Sequence, residues 1–152
     1  MSIAKVITAA QALHDLLKAK SVIAGHPLSV VQGWSFCSDL ITQQLPAVDI
    51  MPGRIMRTGH HARAEFVFTI EAAVAGSYAE AAKAVYDIDR ALFRVMFSQL
   101  RGDAAGALFG SRLEYEGLVE PPKPLVRGTE EAPEPYLQAR ASAYWNYNES
   151  LD

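Results

Sequence analysis

Near the start of the chain, hydrophobic and polar positions alternate with a helical period. From Ile3 to Lys20, apolar side chains recur at spacings of three and four residues, the pattern of an amphipathic helix packed on one side. A second helical pattern follows Gly76, where Ser77 and Glu80 have the spacing of a capping box. We therefore predict two main helices. The apolar stripe predicted for the second helix comprises Ala81, Val85, Ile88, Leu92 and Met96, widened by Phe93, Phe97 and Leu100.

Four other segments alternate with a period of two, which is typical of strands with one buried face. They lie at 48–57, 63–75, 112–119 and 136–148. Thr58 to His61 has the composition of a hairpin turn, and Pro52 predicts an edge position or a bulge in the first strand. The segment 28–45 has no clean period, so helix and strand both stay open there.

The order of these elements predicts the fold class. A helix, two strands, a long helix and two more strands are typical of a layered α+β fold. We expect a single domain over 1–152, with the two main helices packed on one face of a four-stranded antiparallel or mixed sheet. The segment 121–135 contains five prolines and three glutamates, so we predict an extended loop there. The residues expected beneath the helices are Phe66, Phe68, Leu113 and Trp145.

Composition and charge exclude several classes of protein. The chain has 152 residues, half of them apolar, and a net charge of −3, which argues against a disordered chain and against a basic nucleic-acid-binding domain. No apolar run reaches the roughly 18 residues of a membrane helix, so we expect no membrane partner. Cys37 is the only cysteine, and we interpret it as a small buried hydrophobic residue rather than a nucleophile.

Catalytic and metal-binding motifs give no positive signal. The phosphate-loop, dinucleotide, zinc-protease and serine-hydrolase motifs are absent from the sequence. His60 and His61 are adjacent, and neighbouring residues of an extended chain point to opposite sides, so they do not predict a shared metal ion. We therefore expect no catalytic residues and no cofactor.

The face of the predicted sheet that points away from the helices is rich in tyrosine and glutamate. An ordinary solvated sheet face and a surface that meets another subunit or lines a passage both fit this pattern. The residues concerned include Glu65, Glu71, Glu114, Glu116, Tyr136 and Tyr144.

The layout of these segments resembles the phage tail-terminator and minor tail proteins, namely the lambda U-like group and its relatives in Mu-like phages. The shared features are an N-terminal amphipathic helix, a Leu-Pro-Ala-Val segment at 45–48 before an edge strand, and a late strand at 136–147. A phenylalanine-rich strand at 63–75 that runs into Gly76-Ser77 and a long helix also matches. The resemblance is one of layout and segment character, and it covers nearly the whole chain.

The resemblance implies a structural role in the virion and no enzyme activity. Such proteins form homo-hexameric rings that end tail-tube polymerisation at the head-proximal end of the tail and allow head–tail joining. The implied partners are further copies of the chain, the tail-tube protein and a neck or head-completion protein, while DNA only passes through the lumen. Two alternatives stay open: a neck or head-completion connector, and a small dimeric α+β enzyme or ligand-binding module.

On this interpretation, three sets of residues are candidates for function. The candidate subunit interface comprises Arg54, Arg57, Arg63, Tyr136 and Tyr144. The candidate lumen face comprises Glu65, Glu71, Glu114 and Glu116. The candidate contact loop for the tube or the neck contains Lys123, Arg127, Glu130 and Glu131.

Overall fold

The computed structural model describes residues 2–38, 44–99 and 113–148. Two α-helices and five strands make up most of these ranges. In chain order they are α1 (Ser2–Ser21), β1 (Gly33–Phe36), β2 (Ala47–Thr58), β3 (His61–Ala73), α2 (Tyr78–Arg94), β4 (Leu113–Gly128) and β5 (Pro133–Asn148). A short 3-10 helix, Pro27–Val30, precedes β1, and a π-helical segment, Val95–Gln99, continues α2.

The strands form one five-stranded sheet in the order β1-β2-β3-β5-β4. β1 pairs with β2 in parallel, and every other pairing is antiparallel, so the sheet is mixed. The α+β class is confirmed, but the prediction of four strands is wrong. The additional strand is β1, whose four residues are too few to show a period and lie in the segment that the pattern left open.

The β2–β3 hairpin lies where the sequence predicts it. Thr58 pairs with His61 across the turn, and Gly59 takes a positive φ of 62°, as short hairpin turns favour. β1 covers β2 only as far as Ile50, and the register of β2 against β3 shifts between Pro52 and Ile55. Pro52 therefore lies at a bulge on the open part of this strand, where its missing N–H is tolerated.

The segment 121–135 is not a loop, which corrects the prediction. β4 and β5 pair from Leu113 opposite Trp145 to Gly128 opposite Pro133, so only residues 129–132 connect them. The prolines are tolerated because β4 is the last strand of the sheet and one of its edges needs no donor. A register shift between Glu120 and Lys123 also spans the Pro-Pro pair.

Both helices pack on the same face of the sheet, as predicted. α1 contacts β1 and β2, while α2 contacts β3, β4 and β5. Ser77 caps α2, since its hydroxyl accepts a hydrogen bond from the Glu80 N–H at 3.1 Å. Beneath the helices lies a continuous apolar core. Its largest fully buried side chains include Phe66, Phe68, Leu13, Leu17, Ile50, Ile70, Ile88 and Leu92.

The outer side of α2 differs from the prediction. Phe93 is 49% exposed and Phe97 is 64% exposed, although the pattern assigned both to the buried stripe. Each lies one residue beyond a buried position of the stripe, Leu92 or Met96, which places it about 100° further round the helix. Leu100, the other residue assigned to that stripe, lies outside the described residues.

Candidate interaction surfaces

The face of the sheet opposite the helices carries a band of polar side chains from β3 and β5. We call it the polar sheet face. Because side chains directly opposite each other on paired strands share a face, the register of β3 and β5 sets its arrangement. The pairs are Glu65–Tyr144, Val67–Ser142, Thr69–Arg140 and Glu71–Gln138.

Glu65 is the centre of a hydrogen-bonded cluster on this face. Its carboxylate accepts hydrogen bonds from the Ser142 hydroxyl at 2.8 Å and the Tyr144 hydroxyl at 3.4 Å, and its other oxygen accepts one from the Arg54 N–H at 3.4 Å. The side chain is only 12% exposed. Burial opposes ionisation, but these hydrogen bonds outweigh it and hold the pKa of Glu65 below its ordinary value.

Arg63 joins this cluster to β4. Its guanidinium lies 4.2 Å from the centre of the Tyr144 ring and pairs with the Glu114 carboxylate at 3.5 Å. Burial and a hydrogen bond to Glu116 raise the pKa of the Tyr144 hydroxyl, which therefore stays protonated as a donor. Together these groups border a shallow depression of about 360 Å³. It is lined by Arg54, Met56, Arg63, Glu114, Tyr115, Glu116 and Tyr144.

Two of the predicted sets thus meet in one patch. Arg54, Arg63 and Tyr144 were assigned to a subunit interface, and Glu65, Glu114 and Glu116 to a lumen. The structure places all six within the same cluster or around the same depression. Arginine and glutamate are interleaved there, so the patch is not the uniformly acidic surface that the sequence predicts.

The remaining members of these sets lie elsewhere. Arg57 pairs with Ala62, whose side chain is buried beneath the helices, so Arg57 belongs to the helix side of the sheet. Glu71 and Tyr136 lie further along the polar sheet face and are only 2% and 5% exposed. Glu71 accepts a hydrogen bond from Gln138 at 2.7 Å, and its buried carboxylate is not available to face passing DNA.

The predicted contact loop is the end of a paired hairpin. Lys123 and Arg127 lie on β4 opposite Gln138 and Glu134, and Arg127 forms an ion pair with Glu134 at 2.8 Å. The connecting residues 129–132 contain Glu130 and Glu131, both exposed. These two carboxylates are therefore held at the tip of a structured arm.

A buried polar site between β1 and β2 has no counterpart in the sequence predictions. Asp49 is 1% exposed and accepts hydrogen bonds from the Ser35 hydroxyl at 2.7 Å and the Ser38 N–H at 3.0 Å. It ties the end of β1 to β2. The signal was present in the sequence, because Asp49 interrupts a run of apolar residues between Val48 and Ile50.

Cys37 follows β1 in a left-handed backbone conformation, with φ at 53°. It is exposed, which corrects the prediction that it is buried. Loss of water around the sulfur and the nearby Asp49 carboxylate raise the pKa of its thiol. A raised pKa disfavours the thiolate, and the thiolate is the nucleophilic form.

An exposed aromatic surface runs along α2. We call Tyr86, Phe93 and Phe97 the aromatic stripe; they are 52%, 49% and 64% exposed, and the two phenylalanine rings stack at 5.9 Å. Asp89 accepts a hydrogen bond from the Tyr115 hydroxyl of β4 at 2.6 Å. Since Tyr86 and Phe93 flank Asp89 at helical spacing, the stripe lies on the β4 side of α2.

A groove lies at the opposite edge of the sheet, between the end of α1 and β1. We call it the β1-edge groove; its volume is about 370 Å³. Val22 at its rim is 81% exposed, and Val30 nearby is 48% exposed. The groove is lined by Lys18, Ser21, Val22, Ser29, Val31, Gln32, Gly33 and Trp34.

Comparison with known proteins does not assign the chain to a family. No family model matches the chain, and no curated protein matches it either. Within residues 2–38, 44–99 and 113–148, no three His, Cys, Asp or Glu side chains come together as a metal ion would require. In that same part of the chain, no helix is long and apolar enough to span a membrane.

Proposed function

We propose that this chain is a ring-forming structural protein of a phage tail, a terminator that caps the tail tube and allows the head to join. The observation that carries the proposal is the presence of two different surfaces at opposite edges of one open sheet, an exposed aromatic one and a groove of mixed polar and apolar lining. The aromatic stripe lies beside β4, and the β1-edge groove lies beside the first strand of the order. A subunit of a closed ring needs two such different surfaces, because each copy contacts both of its neighbours.

The layout of the chain supports the choice of a tail terminator among ring-forming proteins. The amphipathic α1, the phenylalanine-rich β3 leading into a capped α2 and the late strand β5 occur in the order that the resemblance requires. The proposed role is geometric and needs no catalysis or cofactor. The ring would match the end of the tube and offer no surface for another tube subunit.

The β4–β5 hairpin is the part of the subunit that we assign to the tube or the neck. Its tip carries the exposed Glu130 and Glu131, and strand pairing holds it as a stiff arm up to Gly128 and Pro133. The residues of this tip belong neither to the lining of the β1-edge groove nor to the aromatic stripe. Contact along the tail axis would therefore leave the ring contacts free.

The proposal is tested by adding the purified chain to growing tail tubes of its phage and imaging the products. A terminator would bind one end of each tube as a ring and stop its elongation, so tube lengths would cease to increase. Tubes that keep growing in the presence of excess protein would refute the terminator role. Rings that bind the portal vertex instead of the tube would identify a neck or head-completion protein.

A further inference from the structure

We propose that the aromatic stripe of one copy packs into the β1-edge groove of the next copy, and that repetition of this contact closes the ring. The inference rests on the proposed function, because it names the contact by which the subunits of the ring associate. The occupant of the groove is thus a second copy of the same chain.

The positions of the two surfaces suit this contact. The sheet order places β1 and β4 at opposite edges, about 19 Å apart at the usual spacing between neighbouring strands. The stripe is on the β4 side of α2, and the groove is bordered by Gly33 and Trp34 of β1. Each copy can then engage one neighbour at each edge, in head-to-tail fashion.

The chemistry of the groove also suits an aromatic occupant. Its volume of about 370 Å³ admits a phenyl or phenol ring, and Val22 and Val31 supply apolar walls. The Trp34 ring N–H is buried and has no hydrogen-bond partner among the described residues. Trp34 also contributes to the groove lining, so an aromatic side chain of the next copy would contact it there.

Charge is complementary beside both surfaces. Arg90 is exposed on α2 between Tyr86 and Phe93, which are its neighbours at helical spacing. Asp15 is exposed on α1, one turn before Lys18 of the groove lining. An Arg90–Asp15 pair across the contact would set its register, although Lys18 also lies close to Asp15 and competes for its charge.

The area of the stripe matches the core of a small interface. Three half-exposed aromatic side chains present about 300 Å² of mostly apolar surface. A stable interface buries about 800 Å² per partner, with an apolar core and a polar rim. The stripe would form that core, and Arg90 would lie in the rim.

Disulfide cross-linking tests the contact directly. In a Cys37→Ser background, Phe93→Cys and Val22→Cys are introduced into the same chain, and oxidation is followed on non-reducing gels. We expect a ladder of covalent oligomers that ends at the number of subunits in the ring. Each cysteine alone should give no ladder, and a mixture of the two single variants should stop at dimers, because the contact joins two different surfaces.

In the control variant, Val22→Cys is combined with Val126→Cys. Val126 is exposed but lies on the β4–β5 hairpin, so we expect no ladder from this variant. Circular dichroism checks the folding of every variant, and Tyr86→Cys replaces Phe93→Cys if the latter unfolds. If native mass spectrometry shows rings but neither Phe93→Cys nor Tyr86→Cys gives a ladder with Val22→Cys, this contact is overturned and the ring proposal stays intact. Absence of rings, alone and on tube ends, would overturn both.

Discussion

Glu65 shows how single residues hold the polar sheet face together. From its position on β3, its carboxylate accepts hydrogen bonds from both neighbouring strands: the Arg54 N–H of β2, and the Ser142 and Tyr144 hydroxyls of β5. The sequence places Glu65 on the polar side of a strand, which is confirmed. The alternating pattern of a strand does not predict which donors surround the Glu65 carboxylate, because tertiary packing sets the order of the strands in the sheet.

We predict that Glu65 makes the stability of the fold depend on pH. Its pKa in the folded chain is lowered, so its contribution is fully present above the pKa of an unfolded glutamate and is lost as the pH falls through the folded value. Replacing Glu65 with Gln should lower the free energy of unfolding by about 1 kcal/mol at pH 7. The difference between wild type and variant should shrink towards pH 3 in urea titrations.

Ser142→Ala is the matched variant for this test, since it removes a donor and keeps the carboxylate. It should weaken the pH dependence of the wild type without abolishing it. A difference between wild type and Glu65→Gln that stays constant from pH 7 to pH 3 would contradict the assignment of the lowered pKa to these hydrogen bonds.

At the scale of elements, α2 and the β4–β5 hairpin show what local sequence can and cannot specify. The start of α2 follows from side-chain chemistry next to it in sequence, and its cap at Ser77 is confirmed. The strand character of 121–128 could not be predicted from the residues, because three of the five prolines of the segment lie within it. Prolines exclude a central strand but are compatible with an edge strand, and only the sheet order decides between them.

The cap of α2 gives a direct stability prediction. Ser77→Ala removes the acceptor of the Glu80 N–H and should lower the free energy of unfolding by about 1 kcal/mol. Ser77→Asp keeps an acceptor at the same place and should retain most of the stability. Thermal and urea melts of the three proteins provide the measurement, and equal losses for both variants would show that the cap contributes nothing.

The hairpin tip gives a functional prediction that leaves the fold untouched. Glu130→Lys combined with Glu131→Lys should preserve the melting temperature, because both side chains are exposed beyond the paired strands. If these carboxylates contact the tube or the neck, the double variant should form rings yet attach poorly, as counted by electron microscopy of tube ends.

A control places two lysines at the other end of the sheet, with His60→Lys and Asn148→Lys, and changes the net charge by two units where the tip variant changes it by four. Both positions are exposed, and His60 lies in the β2–β3 turn. This control should attach normally. Equal attachment of the tip variant and the control would remove the hairpin tip from the contact.

At the scale of the whole molecule, the two faces of the sheet carry different tasks. The helix side supplies the core and, in our proposal, the ring contacts at its two edges. On the polar sheet face, the Glu65 and Glu71 carboxylates accept hydrogen bonds from neighbouring side chains of the same face. Of the four carboxylates predicted to face a lumen, Glu114 and Glu116 at its β4 end are the exposed ones.

The predicted lumen face is therefore reduced to Glu114 and Glu116. Glu114→Lys combined with Glu116→Lys would change the local charge by four units and attract the phosphates of passing DNA. We expect assembled particles carrying this variant to eject DNA more slowly at low salt, with the difference shrinking as salt screens the charges. Ejection at the wild-type rate in low salt would remove the polar sheet face from the lumen.

Native mass spectrometry followed by negative-stain imaging shows whether the chain closes into a ring. We expect a species of six times the 16.6 kDa mass of the chain, with an open centre, either in solution or once purified tail tubes are added. A compact dimer under all salt and Mg²⁺ concentrations, or a monomer that forms no ring on tube ends, would contradict this expectation.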